Sequence, residues 1–281
     1  MPHSLTIHMV PLAPIAPQFT EGRHLHALFL SLVRAIDPEL SDQLHNQGHV
    51  RAFTISALQV GNSTRLASST RASRVIPPGT PCWWRLCLLE DSLFQRLSPV
   101  WLSLNPLKSG PDETPWHLGP AQLVVSHILT NTGSWADFTP YDSLHTAASR
   151  QERSFEVHFH SPTNFRQGEY DSALPLPRAL FHNSYRRWQE YAGIPLQPDL
   201  LEVLEQHLRP THFDLRTASA TDFRSTFIGC LGNIHYRLFG DLTEEVIHQA
   251  NVLADYLYFS GAGRKTTMGM GQVTRVHPKV H

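Results

Sequence analysis

Residues 261–271, which read Gly-Ala-Gly-Arg-Lys-Thr-Thr-Met-Gly-Met-Gly, restrict the fold of this 281-residue chain more than any other segment. Their four glycines join an apolar, helix-like stretch at 252–259 to a short strand-like stretch. Glycine has no Cβ, so the backbone can turn sharply here and bring its N–H groups against a ligand. Because Arg264 and Lys265 stand at the tip, the segment predicts a loop that binds phosphate.

Two common phosphate-binding loops do not fit this segment. In a P-loop the lysine follows the last glycine and a helix begins, whereas Lys265 precedes the second glycine pair. A dinucleotide-binding fingerprint follows a strand, whereas this loop follows a helix-like run. The remaining alternative is a flexible surface turn, because clustered glycines are mostly turn signals.

Composition indicates a globular protein with room for two domains, since 41% of residues are hydrophobic and 17% are charged. No apolar run approaches the ~20 residues of a membrane span, and the first residues show no secretory signal. Cys82, Cys87 and Cys230 lack the Cys-x-x-Cys spacing. This usage favours reduced thiols, so we expect a cytoplasmic location.

Charge is distributed unevenly along the chain. The formal net charge is −1, yet residues 65–74 carry Arg65, Arg71 and Arg74 and no acidic residue. The stretch 264–279 is likewise basic and contains no acid. Local basic segments on a nearly neutral protein favour selective binding of one polyanion over bulk attraction.

Histidine is abundant, with 18 residues, but its spacing does not predict a metal site. His158 and His160 alternate on a predicted strand, and His24 and His26 lie near a helix start. A metal centre needs a third ligand at a suitable spacing. None is evident, so we expect neither a metal nor a cofactor.

The apolar pattern predicts the order strand, helix, strand, strand, helix, strand in each half of the chain. Predicted strands span 4–12, 53–58, 82–89, 123–129, 154–159, 213–215, 227–238 and 270–276, and predicted helices span 25–36, 91–104, 177–191, 198–208 and 244–258. Residues 61–81 are predicted to be a loop, as an extended hairpin. This order is typical of the ferredoxin-like fold. We therefore predict an α+β protein of tandem ferredoxin-like (βαββαβ, RRM-like) domains at 1–135 and 136–281.

Tandem ferredoxin-like domains with a C-terminal Gly-x-Gly-x5-Gly-x-Gly loop resemble the RAMP superfamily of CRISPR-associated proteins. Within it, Leu44-His45 followed by Arg-Ala-Phe-Thr-Ile-Ser at 51–56 is similar to the family that cuts CRISPR repeat RNA. The segment Phe-His-Ser-Pro-Thr-Asn-Phe at 159–165 is also similar to that family. The resemblance covers residues 24–276.

The resemblance implies a metal-independent endoribonuclease of antiviral defence that cleaves CRISPR repeat RNA in precursor transcripts to release guide crRNAs. The ribose 2′-OH would attack the phosphorus, leaving a 2′,3′-cyclic phosphate and a 5′-OH. An alternative is a non-catalytic RAMP subunit that binds crRNA within a CRISPR effector complex. A third, more distant alternative is an enzyme whose glycine loop binds a nucleotide. Expected partners are the repeat RNA and effector subunits, with the chain a monomer or homodimer.

Such a reaction needs a base, an acid and a cation beside the phosphate. Under the resemblance, His45 serves as base or acid and Arg51 as electrostatic stabiliser. His49 is the strongest rival to His45, and His26 is a weaker one. The structural alternative is a helix-terminal histidine and a solvated arginine. Family members often carry a tyrosine on the first helix and a lysine at the position of Arg51. The first helix here has no tyrosine, so water or a second histidine remains open as the other proton-transfer group.

For RNA binding, the predicted residues are those of the glycine loop and of the arginine-rich stretch. They are Gly261, Gly263, Arg264, Lys265, Thr266, Gly269 and Gly271, together with Arg65, Arg71 and Arg74. The loop would take backbone phosphates, and the arginine trio would hold a repeat hairpin, because paired RNA is read largely through phosphates and shape. The alternative for the trio is a solvated loop. Arg186 and Arg187 are interpreted as a solvated helix face.

Overall fold

The computed structural model describes residues 1–46, 50–63, 65–66, 68–108, 114–131, 135–222 and 225–276. Its buried apolar side chains form one large core within residues 5–125 and another mainly within residues 141–273. No helix in the described ranges is long and apolar enough to cross a membrane. Each half of the chain therefore has its own core.

The first half is built on one antiparallel sheet. Its elements are β1 (His3–Pro11), α1 (Gly22–Arg34), α2 (Pro38–Asn46), β2 (Phe53–Ile55), β3 (Gln59–Val60), β4 (Cys82–Leu88), α3 (Asp91–Trp101), β5 (His117–Leu118), β6 (Ala121–Leu129) and β7 (Asp137–Phe138). The strands lie in the order β2-β4-β1-β6-β5, while β3 pairs with β4 and β7 pairs with β1. The four main strands β2, β4, β1 and β6 thus have the ferredoxin-like arrangement.

Helix α1 buries the apolar stripe that its sequence predicts, whereas α2 is not among the predicted helices. The stripe consists of Leu25, Leu28, Phe29, Leu32 and Val33. The sequence pattern interprets Asp37-Pro38 only as the end of the first helix. In the structure, Asp37 Oδ1 accepts a hydrogen bond from the Leu40 amide at 2.8 Å, so the same pair also begins α2. An aspartate cap followed by proline is a favourable helix start.

The second half repeats the arrangement. Its elements are α4 (Tyr141–Ala147), β8 (Ser154–Thr163), β9 (Phe165–Gln167), β10 (Tyr170–Ser172), α5 (Pro177–Tyr191), α6 (Leu200–His207), β11 (Leu208–Asp222), β12 (Ser225–Leu238), α7 (Glu244–Ser260) and β13 (Val273–Val276). The main sheet has the order β11-β12-β8-β13, and β9 pairs separately with β10. Two sheets of this order fit the predicted α+β, tandem ferredoxin-like architecture.

Two sequence predictions about extended segments are wrong. Strand β11 covers 15 residues instead of 213–215, because it pairs along its length with β12 although its own pattern is polar. Residues 61–81 form no hairpin in their described part. There, Ile76 forms an isolated bridge with Ile15, and the Gly61 amide donates to the Pro81 carbonyl. The Ser/Thr/Arg composition offers no alternating apolar face that would hold a strand in register.

The predicted domain boundary falls just before β7. This strand pairs with β1, at His3 and Ser4, and so belongs to the first sheet. Helix α4 follows it and packs against α7 of the second half. The short segment between them, residues 139–140, therefore connects the two halves.

Candidate functional site

The glycine segment, residues 261–271, lies between the two halves. Buried Arg187 holds it against the residues that precede β2. From α5, Arg187 Nε donates to the Arg51 carbonyl at 3.1 Å and Nη2 donates to Thr266 Oγ1 at 3.0 Å. Its Nη1 donates to the carbonyl of Ser260, the last residue of α7. The side chain is only 5% exposed, so its interpretation as part of a solvated face is wrong. Residue 187 follows Leu180 and Ser184 at helical spacing, and this spacing is the sequence signal for its burial.

Buried Arg85 makes a second connection, from β4 to the two ends of the glycine segment. Its Nη2 donates to the Tyr258 carbonyl at 2.6 Å, and its Nη1 donates to Gln272 Oε1 at 2.7 Å. The side-chain amide of Gln272 continues the contact by donating to the Ile55 carbonyl at 3.0 Å. The loop is thus fixed at both ends by polar contacts across the junction.

The four glycines of the segment are buried and have positive φ angles between 65° and 85°. A Cβ on Gly263 would lie 2.2 Å from the Asn164 carbonyl oxygen, and one on Gly271 would lie 2.1 Å from that of Ala262. The alternative of a flexible surface turn is therefore wrong. These glycines are required by the close packing of the loop itself.

Replacing Gly271 with alanine is expected to lower the free energy of unfolding by about 2–4 kcal/mol, because a strained φ adds to a backbone overlap. Urea unfolding of the two proteins measures the difference. Gly61→Ala is the matched control, since Gly61 has φ 88° but a Cβ added there would meet no atom within 4 Å. That variant should lose about 1 kcal/mol. Equal losses in the two variants would contradict the packing role of Gly271.

The two cations at the tip of the loop face different surroundings. Arg264 pairs with Asp171 and lines a cleft of about 710 Å³ together with Arg166, His182 and Arg186. The Lys265 backbone is left-handed, with φ 57°. Its Nζ lies 5.3 Å from the centre of the Phe227 ring on β12.

His26, on α1, lies directly against the loop. Its Nδ1 is 3.0 Å from the Thr267 carbonyl oxygen, so a neutral ring donates from Nδ1 and leaves Nε2 as the acceptor. Burial lowers the pKa of His26 from its usual 6.5, the hydrogen bond to Thr267 offsets part of that shift, and the nearby Arg51, His45 and Lys265 lower the pKa further. His26 is therefore a neutral imidazole beside several cationic groups.

His45 and Arg51 come together as the sequence predicts, but through the backbone of His45. His45 is exposed in the last turn of α2. Arg51 Nη1 donates to the His45 carbonyl at 3.0 Å and also to the Leu44 carbonyl, so it satisfies the end of that helix. Burial lowers the pKa of the Arg51 guanidinium. His49, the predicted rival of His45, lies outside the described residues.

The three arginines at 65–74 have different surroundings. Arg71 pairs with Glu21, just before α1, at 3.4 Å. Arg65 lines a cleft of about 390 Å³ with His160 and Arg216 of the second half. Arg74 is exposed. These three residues stay candidates for RNA contacts.

A neutral histidine, an exposed histidine and fixed cations are thus grouped at the junction of α1, α2 and the loop. Imidazoles transfer protons near neutral pH, and fixed cations stabilise charge that develops on a phosphate. The group formed by His26, His45, Arg51 and Lys265 is hereafter called the junction cluster. Its chemistry suits cleavage of a phosphodiester.

Comparisons with known proteins find matches to both halves of the chain. Residues 1–146 match the CRISPR Cas6 N-terminal domain, and residues 157–273 match the CRISPR-associated endoribonuclease Cas6. The fold is similar to that of a Thermus thermophilus Cas6 in a product complex, with TM-score 0.78, 24% identity and coverage of 98% of this chain and 100% of that one. No curated protein sequence matches the chain.

Two further solved structures have the same fold. A product complex of another Cas6 protein has TM-score 0.72 and 24% identity, covering 98% of this chain and 100% of that one. The product of a Cas6-related gene from Pyrococcus furiosus has TM-score 0.60 and 14% identity, covering 99% and 100%. The predicted tandem ferredoxin-like fold and the predicted family resemblance are confirmed.

Proposed function

This chain belongs to the Cas6 family of CRISPR-associated endoribonucleases, and we propose that it cuts the repeats of precursor CRISPR transcripts without a metal ion. Each cut would leave a 2′,3′-cyclic phosphate on the upstream product and a 5′-OH on the downstream product, and successive cuts would release guide crRNAs. The observation that carries the proposal is the junction cluster, which puts two imidazoles and two fixed cations beside a glycine loop. The reaction would take place in the cytoplasm, and effector subunits are further proposed partners.

In the proposed reaction, His26 is the base and His45 is the acid. The acceptor Nε2 of His26 takes the proton of the ribose 2′-OH as O2′ forms its bond to phosphorus. The bond from phosphorus to O5′ breaks, and protonated His45 supplies the proton of the new 5′-OH. This extends the prediction for His45 and gives the second proton-transfer role to a histidine.

Arg51 and Lys265 would stabilise the negative charge that develops on the non-bridging oxygens. Arg51 has a second task, because its bond to the His45 carbonyl fixes the end of the helix that carries the acid. Lys265 is placed by its left-handed backbone and by the packing of its side chain near Phe227. The two cations therefore approach the phosphate from the two halves of the protein.

The cleft beside Arg264 would hold the RNA strand that leaves the junction. Its lining includes Arg166, Arg178, Arg186 and Arg264, with Glu205 as the acidic group. Asp171 partly neutralises two of these arginines, with Nη1 of Arg166 at 3.6 Å. A backbone phosphate that takes the place of the Asp171 carboxylate beside these arginines would be held mainly by charge. Binding would therefore depend on salt.

The pH dependence of cleavage should report the lowered pKa of His26. The base works in its neutral form, which is lost as the pH falls through the pKa of that residue. Since this pKa lies below 6.5, the acidic limb of the pH–rate profile should have its midpoint below pH 6.5. Single-turnover rates with the enzyme kept below its dissociation constant for the RNA, from about pH 4.5 to about pH 8, report the free enzyme and measure this midpoint. An acidic midpoint above 6.5 would contradict the assignment of His26 as the base.

The function itself is tested with RNA repeats from the same genome, in EDTA, beside an RNA of the same composition and scrambled sequence. We expect cleavage at a single position of the repeat, with 2′,3′-cyclic phosphate ends, and no cleavage of the scrambled RNA. Tight binding of the repeat without cleavage would contradict the proposal. That result would favour the non-catalytic crRNA-binding subunit instead.

A further inference from the structure

Three side chains that could ligate a metal meet where α4 packs against α7. His145 lies in the last turn of α4, while Glu245 and His248 lie in the first turns of α7. One possible ligand atom from each lies within 4.8 Å of the other two. The sequence does not predict this group, because His145 is about 100 residues from the other two and no local spacing connects them.

His248 has the environment of a ligating histidine. It is 1% exposed, and its Nε2 lies 2.6 Å from the His145 carbonyl oxygen. A proton on Nε2 is fixed by that bond, so Nδ1 carries the lone pair. Nδ1 is buried and has no hydrogen-bond partner among the described residues. A buried acceptor without a partner is costly, and a carbonyl bond on the other ring nitrogen is the usual support of a metal-bound histidine.

Glu245 and His145 complete the group with accessible, oriented side chains. Glu245 Oε1 lies 3.8 Å from His248 Nδ1, which is too long for a hydrogen bond. Gln249 donates to this Oε1 at 2.8 Å, and Arg150 donates to Oε2 at 3.0 Å. These two bonds orient the Glu245 carboxylate. The His145 ring lies edge-on to that of His248, with 4.5 Å between ring centres.

We propose that His145, Glu245 and His248 bind one zinc ion, with water as the fourth ligand. Two imidazoles and one carboxylate suit zinc, whereas calcium and magnesium prefer oxygen ligands throughout. Zinc bonds of about 2.0–2.1 Å separate tetrahedral ligands by roughly 3.4 Å. The half-exposed side chains of His145 and Glu245 reach this spacing by small rotations towards buried His248.

The site is separate from the junction cluster, and it has a different role. His248 is near the start of α7, and the glycine segment follows its end at Ser260, about 18 Å further along the helix. Zinc would fasten α4, which follows the connection between the halves, to the core helix of the second half. Chelation should therefore reduce stability and leave cleavage chemistry intact, so this inference stands or falls separately from the proposed function.

The test uses the full chain without a histidine tag, stripped with EDTA, returned to buffer and then given zinc. Zinc that remains after gel filtration is counted by mass spectrometry. We expect about one zinc ion per chain and, with zinc at about 100 times its dissociation constant, a rise of about 5 °C in Tm. Glu245→Gln and His145→Asn, both at half-exposed positions, should lose the bound zinc and the rise in Tm.

His127→Asn is the matched control, because His127 stacks on His8 in another histidine pair, with ring centres 4.2 Å apart. This variant should retain zinc and the full rise in Tm. Two results would overturn the proposal. One is a wild-type chain that holds no zinc through gel filtration, and the other is equal zinc retention in wild type, Glu245→Gln and His145→Asn.

Discussion

Replacing His45 with alanine is expected to slow single-turnover cleavage of the repeat RNA by about 10²–10⁴-fold, because the leaving 5′-oxygen loses its proton donor. Replacing His26 with alanine should have an effect of the same order through loss of the base. The two roles belong to one transition state, so the double variant should lose much less than the product of the two single losses. Rapid-quench measurements with enzyme in excess over RNA give all the rates.

His117→Ala is the control for these variants, since His117 is an exposed histidine on β5, outside the junction cluster. It should cleave at the wild-type rate. RNA affinity should change little in His45→Ala, which separates chemistry from binding. Cleavage at the wild-type rate by His45→Ala would remove His45 from the mechanism. The role of acid would then pass to His49, the predicted rival.

Replacing Arg187 with methionine is expected to lower the free energy of unfolding by about 3 kcal/mol or more, because the acceptors on Arg51, Ser260 and Thr266 lose their donor. Methionine fills similar space but donates no hydrogen bond. Each buried acceptor left unpaired costs about 1–3 kcal/mol. For a chain of this size, a drop of about 6 °C or more in Tm should result.

Arg186→Met is the matched control at the neighbouring position. Arg186 lines the basic cleft and is not among the buried residues. This variant should keep the wild-type Tm and weaken RNA binding, whereas Arg187→Met should lose stability. Cleavage should also fall in Arg187→Met, because the glycine loop and Arg51 share that side chain. Equal Tm values for the two variants would contradict the anchoring role of Arg187.

The sequence predicts the fold because each half repeats one order of apolar segments. That order has few compact solutions, and both sheets adopt the ferredoxin-like one. The errors fall where local pattern and tertiary pairing disagree. Most of β11 is polar and is held by its partner β12, while Asp37-Pro38 both ends one helix and begins the next. When this pair is interpreted only as the end of the first helix, α2 is not predicted.

The candidate site is predicted only in part, because some of its residues lie in local motifs and others are brought together from distant parts of the chain. The glycine loop, His45 and Arg51 have local motifs that the resemblance interprets. His26 ranks low in the sequence because its neighbours come from distant parts of the chain, including Thr267. Arg187 has a helical spacing that points inward, but its charge favours a solvated position. Contacts between residues 100 or more positions apart, as at His145 and His248, leave no local signal at all.

The most direct test of the proposed mechanism is a single 2′-deoxy substitution at the nucleotide whose 2′-OH would attack. Two repeat RNAs that differ only at that atom are incubated with the wild-type protein in EDTA. The mechanism predicts that both bind with equal affinity and that only the all-ribose RNA is cut. Cleavage of the 2′-deoxy RNA at the same bond would contradict attack by the 2′-OH and, with it, the proposed roles of His26 and His45.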